Sequence, residues 1–414
     1  MTRTTAMTLS KTIFSTLFFL LVLNLLPSKV SAFSGTGTGE ISSPYVIRTC
    51  EQLQEIKDEP GKNYVLGQDI DCSGTSTWNQ SGDEYLGFEP IGGGYDFWGI
   101  LDGAYYTIYD LYINRPEDYS VGIFHTVEGG VIGSLTIERA YVNGYQRVAA
   151  LVGQSAEGEY YDIHVVDSEI ISASSISDGK VGGLIGYNQD EMIMEGCSFD
   201  GTITGDMFCG GLVGYSGGDI SISESYSDAV VNCRSSAGGL VGFSDSILSI
   251  EDSYNSGSVN GFYRIGGLVG YSTYDFGITD SYNEAQLIGY YKVGGLVGSS
   301  SEKVTILRSY NEGDIISSMD NYQSEEYLPT WIDEYICIGG LVGASWKADI
   351  LKSYNLGSLE ARGGSRSVGG ILGCGGLVDV QETYNKGNID TLLTSSLSVP
   401  MDGVGGLIGM VMNM

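Results

Sequence analysis

Few side chains in this sequence could carry out catalysis, and histidine is the scarcest of them. Among its 414 residues the chain has two histidines, His125 and His164. Neither belongs to a His-Glu-x-x-His pattern, which would hold zinc on one face of a helix. Residues 214–218 read Gly-Tyr-Ser-Gly-Gly, a pattern that can present a nucleophile, here Ser216. Both histidines precede that serine and no helical pattern follows it, so the hydrolase order of serine, acid and histidine cannot be built.

Carboxylates, by contrast, are abundant. Asp and Glu number 51 against 20 Lys and Arg, which gives a formal net charge of −31. This balance argues against nucleic acid or an anionic membrane as a partner and fits a well-solvated exterior. Two carboxylates about 5–9 Å apart could hydrolyse a glycosidic bond, but among so many acids no pair is distinguished. The sequence therefore names no catalytic residue and no cofactor, and the only metal that it leaves open is loosely bound calcium.

The elements that would position any site follow from a five-residue phrase, Gly-Gly-Leu-Val-Gly, which recurs with small variations. Its central residue lies at Leu151, Leu184, Leu212, Leu240, Leu268, Leu296, Leu341, Ile371 and Leu407. From the second of these anchors to the sixth, the spacing is 28 residues four times in succession. A fixed period of this size predicts an array of units, each stacked on its neighbours.

Within one repeat, β-branched and aromatic residues form three short stretches. Ile220 and Ile222, eight and ten residues after an anchor, show the period-2 alternation of a strand with one buried face. Glycine, Asn, Ser and Asp between the stretches are turn formers, and glycine accepts a positive φ. We therefore predict an all-β fold, a right-handed parallel β-helix (solenoid) of about ten 28-residue coils with three short strands each and an N-terminal capping segment. The anchor, the residue after it and the residue three before it are expected in the core.

A solenoid in register would stack like residues on each other. Tyr254 and Asn255 recur one repeat later as Tyr282 and Asn283. We expect a tyrosine ladder and an asparagine ladder, because identical side chains stabilise strands that stack in register. The tyrosine ladder is interpreted as a corner of the coil and not as a sugar-binding surface.

The N-terminal segment predicts export. Arg3 and Lys11 make a basic start, residues 12–26 are apolar, and residues 30–32 read Val-Ser-Ala, a small-residue cleavage site. Residues 1–32 are therefore predicted to be a signal peptide, with an uncleaved anchor as the alternative. No later apolar stretch reaches the roughly 20 residues of a spanning helix. The mature chain is expected to be secreted or at the cell surface, without a membrane span.

Residues 33–45 are predicted to be a linker, residues 46–120 the cap and first coils, and residues 121–414 the repeats. Residues 49–52 match a capping box that opens a short helix running to about Lys57, which would cover the first exposed edge. After the last phrase only five residues follow, so two strands of that coil are absent. We expect an open apolar edge there, either because the sequence is cut short or because another chain covers it.

Seven cysteines in an exported chain permit disulfides and leave one over. Cys50 and Cys72 flank one short segment and are the predicted pair. Cys209 and Cys337 fall at or beside apolar repeat positions, where buried thiols are expected instead.

Departures from the period locate loops, and the largest is an insertion of 17 residues between Leu296 and Leu341. It lies near residues 317–334 and combines aromatic with acidic side chains. Insertions in solenoids often lie on the binding face. The predicted ligand-binding residues are Asp320, Tyr322, Glu325, Tyr327, Trp331, Asp333 and Tyr335.

The repeats resemble the GLUG motif, named for its glycine-leucine-variable-glycine phrase. Residues 181–186 (Val-Gly-Gly-Leu-Ile-Gly), 253–255 (Ser-Tyr-Asn) and 257–259 (Gly-Ser-Val) carry the resemblance, and residues 52–103 resemble the leader of such proteins. The family includes bacterial and archaeal surface proteins, among them adhesins and non-catalytic regions of some immunoglobulin A peptidases. The resemblance implies surface display and no particular reaction.

The residues and the resemblance together predict an exported cell-surface repeat protein, a non-catalytic, adhesin-like binding module or stalk. Its expected partners are a surface glycan or a host or matrix protein. Two alternatives stay open: a polysaccharide lyase or glycosidase on the same scaffold, and a purely structural spacer.

Overall fold

The computed structural model describes residues 33–174, 178–318, 336–362, 366–392 and 403–411. Within these ranges one sheet of 43 strands winds into a parallel β-solenoid of about ten coils with a repeat of about 28 residues. The predicted all-β solenoid is confirmed. Each coil pairs in register with the next, as Val241 does with Val269 and Val269 with Val297.

One coil consists of five short strands where the sequence predicts three. After Leu240 these are Val241–Ser244, Leu248–Glu251, Tyr254–Asn255, Ser258–Asn260 and Tyr263–Gly266. The sequence does not reveal the strand just before each phrase. In that strand the regular inside–outside alternation of side chains is broken by a residue with left-handed backbone, such as Arg264 with φ 61°. The five strand positions define five faces of the solenoid, called faces 1 to 5 in that order.

The strands that begin on each face are as follows. Face 1 has Phe124–Glu128, Val152–Ala156, Ile185–Asn188, Val213–Ser216, Val241–Ser244, Val269–Ser272, Val297–Leu307, Val342–Leu351, Leu372–Gln381 and Ile408–Val411. Face 2 has Tyr45–Ile47, Asn63–Leu66, Ile100–Asp102, Val131–Glu138, Glu159–Ser172, Met192–Glu195, Ile220–Ser223, Leu248–Glu251 and Phe276–Thr279. Face 3 has Ile70–Asp71, Thr107–Tyr109, Ser198–Gly210, Tyr226–Gly238, Tyr254–Asn255, Tyr282–Asn283, Tyr310–Asn311, Tyr354–Asn355 and Tyr384–Asn385. Face 4 has Tyr112–Arg115, Tyr141–Gly144, Ser258–Asn260, Leu287–Gly289, Ile315–Ser317, Leu359–Arg362 and Ile389–Leu392. Face 5 has Ser120–Val121, Arg147–Val148, Lys180–Gly182, Tyr263–Gly266, Tyr291–Gly294, Ile336–Gly339, Arg366–Gly369 and Gly403–Gly405.

The core fills the interior of the coils with aliphatic side chains. Leu240, Val241, Val259 and Ile265 are fully buried, and Ile250 is nearly so. All of these except Val259 occupy positions that the repeat pattern assigned to the core. Their burial is the main source of stability, at about 25 cal/mol for each Å² of apolar surface removed from water.

Three ladders run along face 3, from the Ser-Tyr-Asn triplets. Neighbouring tyrosine rings of the ladder are 4.8–5.2 Å apart and within 4° of parallel, from Tyr226 to Tyr384. The buried asparagines bond along the stack, as Asn255 Nδ2 donates to Asn283 Oδ1 at 2.9 Å. Both predicted ladders are confirmed. The serines add a third ladder that sequence reasoning missed, in which Ser253 N donates to Ser281 Oγ at 3.1 Å.

The glycines of the phrase are required by close backbone approach, which corrects their interpretation as positive-φ corners. A Cβ on Gly239 would lie 2.1 Å from the Gly267 carbonyl oxygen and 2.3 Å from Asn255 Cγ. The left-handed turns lie elsewhere, two residues before each ladder tyrosine, and are filled by polar residues such as Asp252 and Asp280. Those residues tolerate the strain at an exposed turn, whereas a side chain at Gly239 would clash with the backbone of the next coil.

The N-terminal segment caps the first coil. Residues 33–45, expected as a linker, instead fold back: Val46 N donates to Thr36 O at 2.8 Å, and the Phe33 ring lies 4.6 Å from that of Tyr45. An aromatic side chain and an unpaired strand edge within reach explain this contact. The capping box opens helix Cys50–Gln54, which is continued by the 3₁₀ helix Glu55–Asp58.

The cap also carries two smaller elements, the 3₁₀ helix Ser73–Thr77 and an antiparallel hairpin of Gln80–Ser81 with Glu84–Tyr85. The helix Cys50–Gln54 buries Cys50 and Leu53, which belong to the same hydrophobic core as the first coils. Thr49 and Gln52 make the capping bonds, with Gln52 N donating to Thr49 Oγ1 at 3.3 Å.

Three disulfides are present among the described residues. Cys50 is joined to Cys72, with a Cα–Cα distance of 5.3 Å. The expectation of buried thiols at Cys209 and Cys337 was wrong, because these residues bond to Cys233 and Cys374. The period of the sequence did not reveal these pairs, because the two cysteines of each pair are not separated by a whole repeat. The insertion before Cys337 also concealed that Cys337 lies beside Cys374 on the adjacent coil.

Cys197 is the remaining cysteine, and it is predicted to be inert in the folded protein. It occupies a position in the serine ladder, is fully buried, and burial raises the pKa of its thiol to about 12. At pH 8 roughly one thiol in ten thousand would be ionised, and the thiolate is the reactive form. Iodoacetamide at pH 8 should label no cysteine in the native protein and one after unfolding in urea, as counted by mass spectrometry. Labelling of five thiols after unfolding would contradict the bridges at Cys209 and Cys337.

Candidate functional site

The predicted binding loop cannot be placed. Its seven residues, Asp320, Tyr322, Glu325, Tyr327, Trp331, Asp333 and Tyr335, lie outside the described residues, and the loop hypothesis stays a prediction. Two shorter departures from the period fall near residues 172–178 and 392–401, and residues 175–177 and 393–401 of these also lie outside the described residues. The strands that lead into and out of the large insertion, Ile315–Ser317 and Ile336–Gly339, continue faces 4 and 5.

The residues with catalytic side-chain types are used structurally. Ser216 of the apparent nucleophile elbow is fully buried, donates to Gly218 O at 2.8 Å and accepts from Asn188. His125 Nδ1 pairs with Thr126 and His164 Nδ1 with Ser198. Burial lowers the pKa of His125. These three residues belong to separate coils and assemble no nucleophile–base pair.

Metal ligands do not cluster in the part of the chain that the structure describes. There, no group of three or more His, Cys, Asp and Glu side chains could hold a metal ion. The expectation of loosely bound calcium therefore stays a prediction. Over the same residues, no helix is long and apolar enough to cross a membrane.

The candidate site is a groove at the capped end of the solenoid, which we call the end groove. It has a volume of about 450 Å³, and two large aromatic side chains stand exposed at its side, Trp98 at 63% and Tyr95 at 80%. The groove is lined by Gly39, Glu40, Glu59, Pro60, Gly61, Lys62, Asn63, Tyr95 and Trp98. What distinguishes these two aromatic side chains from the other exposed ones is that they share one groove, since adjoining apolar surface often marks an interaction site.

Trp98 is held in place by the backbone beneath it. Its indole ring lies against Gly61, where a Cβ would come within 2.0 Å of Trp98 Cζ2. Trp98 N donates to Pro60 O at 3.2 Å, and the next residue, Gly99, packs its Cα against Lys62 O. The segment before it is fixed to the first coils, since Phe97 N donates to Thr126 O at 3.0 Å. The indole is therefore presented rigidly although it is mostly in solvent.

The polar side chains of the groove form two fixed pairs. Lys62 Nζ lies 2.8 Å from Glu40 Oε1, and the hydrogen bond between them lowers the pKa of Glu40 and raises that of Lys62. Tyr45 donates to Glu59 Oε1 at 3.2 Å. The pKa of Tyr45 is raised, mainly by burial and to a smaller extent by the Glu59 carboxylate. Asn63 Nδ2 donates to Gly39 O at 3.0 Å and holds the opposite wall.

This arrangement can recognise a ligand that has an apolar face and a hydroxylated edge. Aromatic faces carry negative potential and attract the C–H face of a sugar ring, while the edge of the ring can bond to carboxylates and an ammonium group. Ligand sites commonly combine aromatic walls with a few fixed polar groups. The end groove has both features.

Sequence reasoning placed residues 97–103 in the cap and did not identify a site there. Trp98 is preceded by Gly92, Gly93 and Gly94, and glycine-rich segments beside Trp and Tyr are a cue for an exposed aromatic. What the sequence could not give is the contact with Gly61, since residues 61 and 98 lie on different coils and outside the regular repeat.

No family model matches the chain, so its membership of the GLUG family stays a prediction. Over 164 residues it is 34% identical to halomucin of Haloquadratum walsbyi, covering 37% of this chain and 2% of halomucin. Over 144 residues it is 33% identical to a protein of Evansella cellulosilytica described as a Gly-rich membrane protein, covering 34% of this chain and 16% of that protein. The chain thus matches small parts of both relatives.

Two solved structures are also similar. One is described as an immunoglobulin A1 protease from Bacteroides ovatus, with 18% identity, a TM-score of 0.40, and coverage of 76% of this chain and 85% of that chain. The other is described as an IgA1 protease, with 15% identity, a TM-score of 0.38, and coverage of 85% of this chain and 22% of that chain.

Proposed function

We propose that this protein is an exported, surface-displayed β-solenoid that binds saccharide through the end groove and does so without catalysis. The observation that carries the proposal is the exposure of Trp98, held rigidly, and of Tyr95 beside a groove of about 450 Å³. The adhesin-like role predicted from the sequence thereby receives a candidate binding site, in addition to the insertion loop.

Export and display are supported by three observations. The three disulfides suit an oxidising compartment, and the first 32 residues have the pattern of a signal peptide. One sequence relative is described as a membrane protein. A solenoid of stacked coils is an elongated form suited to holding one end away from its attachment. The expected partners remain a surface glycan or a glycosylated host or matrix protein.

The absence of catalysis is proposed from the state of the groove carboxylates. A glycosidase needs one carboxylic acid whose pKa is raised so that it can protonate the leaving group. Lys62 lowers the pKa of Glu40 instead, which keeps this carboxylate ionised and suits it to accept hydrogen bonds. Turnover of a polysaccharide by the purified protein, seen as release of reducing ends, would contradict this part of the proposal.

The binding role is tested by a glycan microarray followed by titration calorimetry with the best oligosaccharide. Trp98→Ala should weaken binding by about 2 kcal/mol or more, roughly thirtyfold, because buried aromatic contacts dominate binding energy. Gly61→Ala keeps the indole but displaces it, and should weaken binding to a similar extent. Trp346→Ala is the matched control, since that tryptophan is 39% exposed on a distant coil. Equal binding by the Trp98 variant and the wild type, or no glycan bound at all, would refute the site.

A further inference from the structure

The middle of the solenoid segregates its few positive charges on one corner. Between residues 140 and 302 there are 21 acidic and five basic residues, the latter being Arg147, Lys180, Arg234, Arg264 and Lys292. All five belong to face 5 or to the residues leading into it, four or six positions before an anchor. Most of the acids lie at other positions of the repeat, although Asp178 and Asp206 share this corner.

A second aromatic ladder runs next to these cations on face 1, and sequence reasoning did not identify it. Its rings belong to Tyr187, Tyr215, Phe243 and Tyr271, with centroids 4.8–5.3 Å apart. Neighbouring rings are tilted by 32–60°, unlike the parallel rings of the face 3 ladder. Tyr187, Tyr215 and Tyr271 are half-buried.

Two of the five cations are already neutralised by the protein. Arg234 forms a two-pronged pair with Asp206, at 2.6 and 2.7 Å. Lys180 is buried and paired with Asp178. These contacts fix the corner without leaving a free positive charge there, so they are not the anion-binding residues of the inference below.

Arg147 and Arg264 are in a different state. Arg264 Cζ lies 3.6 Å from the centre of the Tyr271 ring, and Arg147 Cζ lies 5.0 Å from that of Tyr187. The other contact described for Arg147 is the neutral amide of Gln154. The Nε atoms of both arginines are buried and have no hydrogen-bond acceptor among the described residues. Each guanidinium therefore lies over a ring, and no carboxylate among the described residues pairs with it. Both arginines are only partly buried, and the terminal nitrogens of a guanidinium pair well with a planar anion.

We propose that this corner binds a linear anionic polysaccharide that lies along the solenoid axis. Arg147 and Arg264 are four coils apart, about 19 Å at the usual spacing of stacked strands. Tyr187, Tyr215 and Tyr271 lie between or beside them. Acidic groups of the polymer pair with the two guanidinium groups, and the sugars between them lie along the half-buried tyrosine ladder. The site is separate from the end groove and does not depend on it.

The acidic surface elsewhere sets the selectivity of this corner. Asp245 accepts from Tyr215 and Thr273 next to the ladder, which limits how many anionic groups the corner can hold. A polymer with one acidic group for each sugar or fewer fits two separated guanidinium groups better than a densely charged strand does. This is why a polysaccharide is favoured over a nucleic acid in a chain with a net charge of −31.

The test uses the full chain with three fluorescently labelled probes: polygalacturonate, dextran sulfate and neutral dextran. The variant is Arg147→Gln with Arg264→Gln. The control is Arg139→Gln with Arg308→Gln, which removes the same charge from arginines paired with Asp110 and Asp280. We expect the wild type to bind polygalacturonate more tightly than dextran sulfate and not to bind neutral dextran. The first variant should bind polygalacturonate about tenfold more weakly. The control should stay within about twofold, and added salt should weaken binding.

Each alternative outcome overturns the proposal. An equal loss in the control pair would mean that net charge alone is responsible. If neutral dextran bound as tightly as the anionic polysaccharides, the arginines would have no role in binding. If single-stranded DNA bound as tightly, the ligand would not be specifically a polysaccharide. No binding of either anionic probe by the wild type would refute the site directly. Circular dichroism shows whether each variant has folded, and the conservative pair Arg147→Lys with Arg264→Lys should recover part of the binding.

Discussion

Replacing Gly267 by alanine is expected to open the solenoid at its centre. The new Cβ would lie 2.1 Å from the Gly295 carbonyl oxygen, 2.3 Å from Asn283 Cγ and 2.6 Å from Asn283 Cβ. The first of these is backbone of the next coil, so rotating a side chain cannot relieve the clash. The coils must separate locally, which breaks their hydrogen bonds and tilts the asparagine ladder. We expect a loss of about 3–5 kcal/mol, near the upper end of single substitutions.

The matched control lies in the same coil. Gly277 faces outward in strand Phe276–Thr279, and nothing lies within 4 Å of a Cβ built there. Gly277→Ala should be neutral or stabilise the protein by about 0.4–1 kcal/mol, because alanine restricts the unfolded chain. Since a repeat array can unfold in parts, hydrogen exchange of the coils around residue 267 is the measurement, supported by thermal denaturation. Unchanged protection in Gly267→Ala would contradict the close-approach explanation of the repeated glycines.

Much of the architecture could be predicted because it repeats. The anchors, the period-2 pair and the Ser-Tyr-Asn triplet each recur at 28 residues, so copies of the sequence reveal the core and the ladders of Tyr254 and Asn255. The role of the glycines was less accessible. A pattern cannot distinguish a glycine needed for a positive φ from one needed for space, and at Gly239 it is the space between coils that decides.

The candidate sites depend on contacts that break or cross the period. Trp98 rests on Gly61 from a different coil of the irregular cap. The ladder of Tyr187, Tyr215, Phe243 and Tyr271 does follow the period, three residues after each anchor, but its neighbours on face 5 come from the end of the preceding repeat. Only the fold brings Arg264 onto Tyr271. For the same reason the bridge between Cys337 and Cys374 was missed.

Asn311→Asp is expected to destabilise the solenoid strongly at neutral pH and less at acidic pH. Asn311 Nδ2 donates to Asn355 Oδ1 at 2.7 Å and to Gly313 O at 2.8 Å, while its Oδ1 accepts from Asn283 at 2.7 Å. An ionised aspartate keeps the last bond but places a buried charge against two acceptors. We expect a loss of about 3–5 kcal/mol at pH 7, as for other uncompensated buried charges.

The pH dependence follows from the sign of the shift. Burial against two oxygens would raise the folded-state pKa of this aspartate above its ordinary value of about 3.9. Below the pKa that this aspartate has in the unfolded chain, the side chain is protonated in both states, donates one hydrogen bond in the folded protein, and the variant keeps its stability. That stability is lost as the pH rises through the pKa of the aspartate in the folded protein. The midpoint of thermal denaturation should therefore differ less from that of the wild type at pH 4.5 than at pH 7. Asn388→Asp, at an exposed position of a later coil, is the control and should show little change. A deficit that is the same at both pH values would mean that Asn311 contributes shape and not its donated hydrogen bonds.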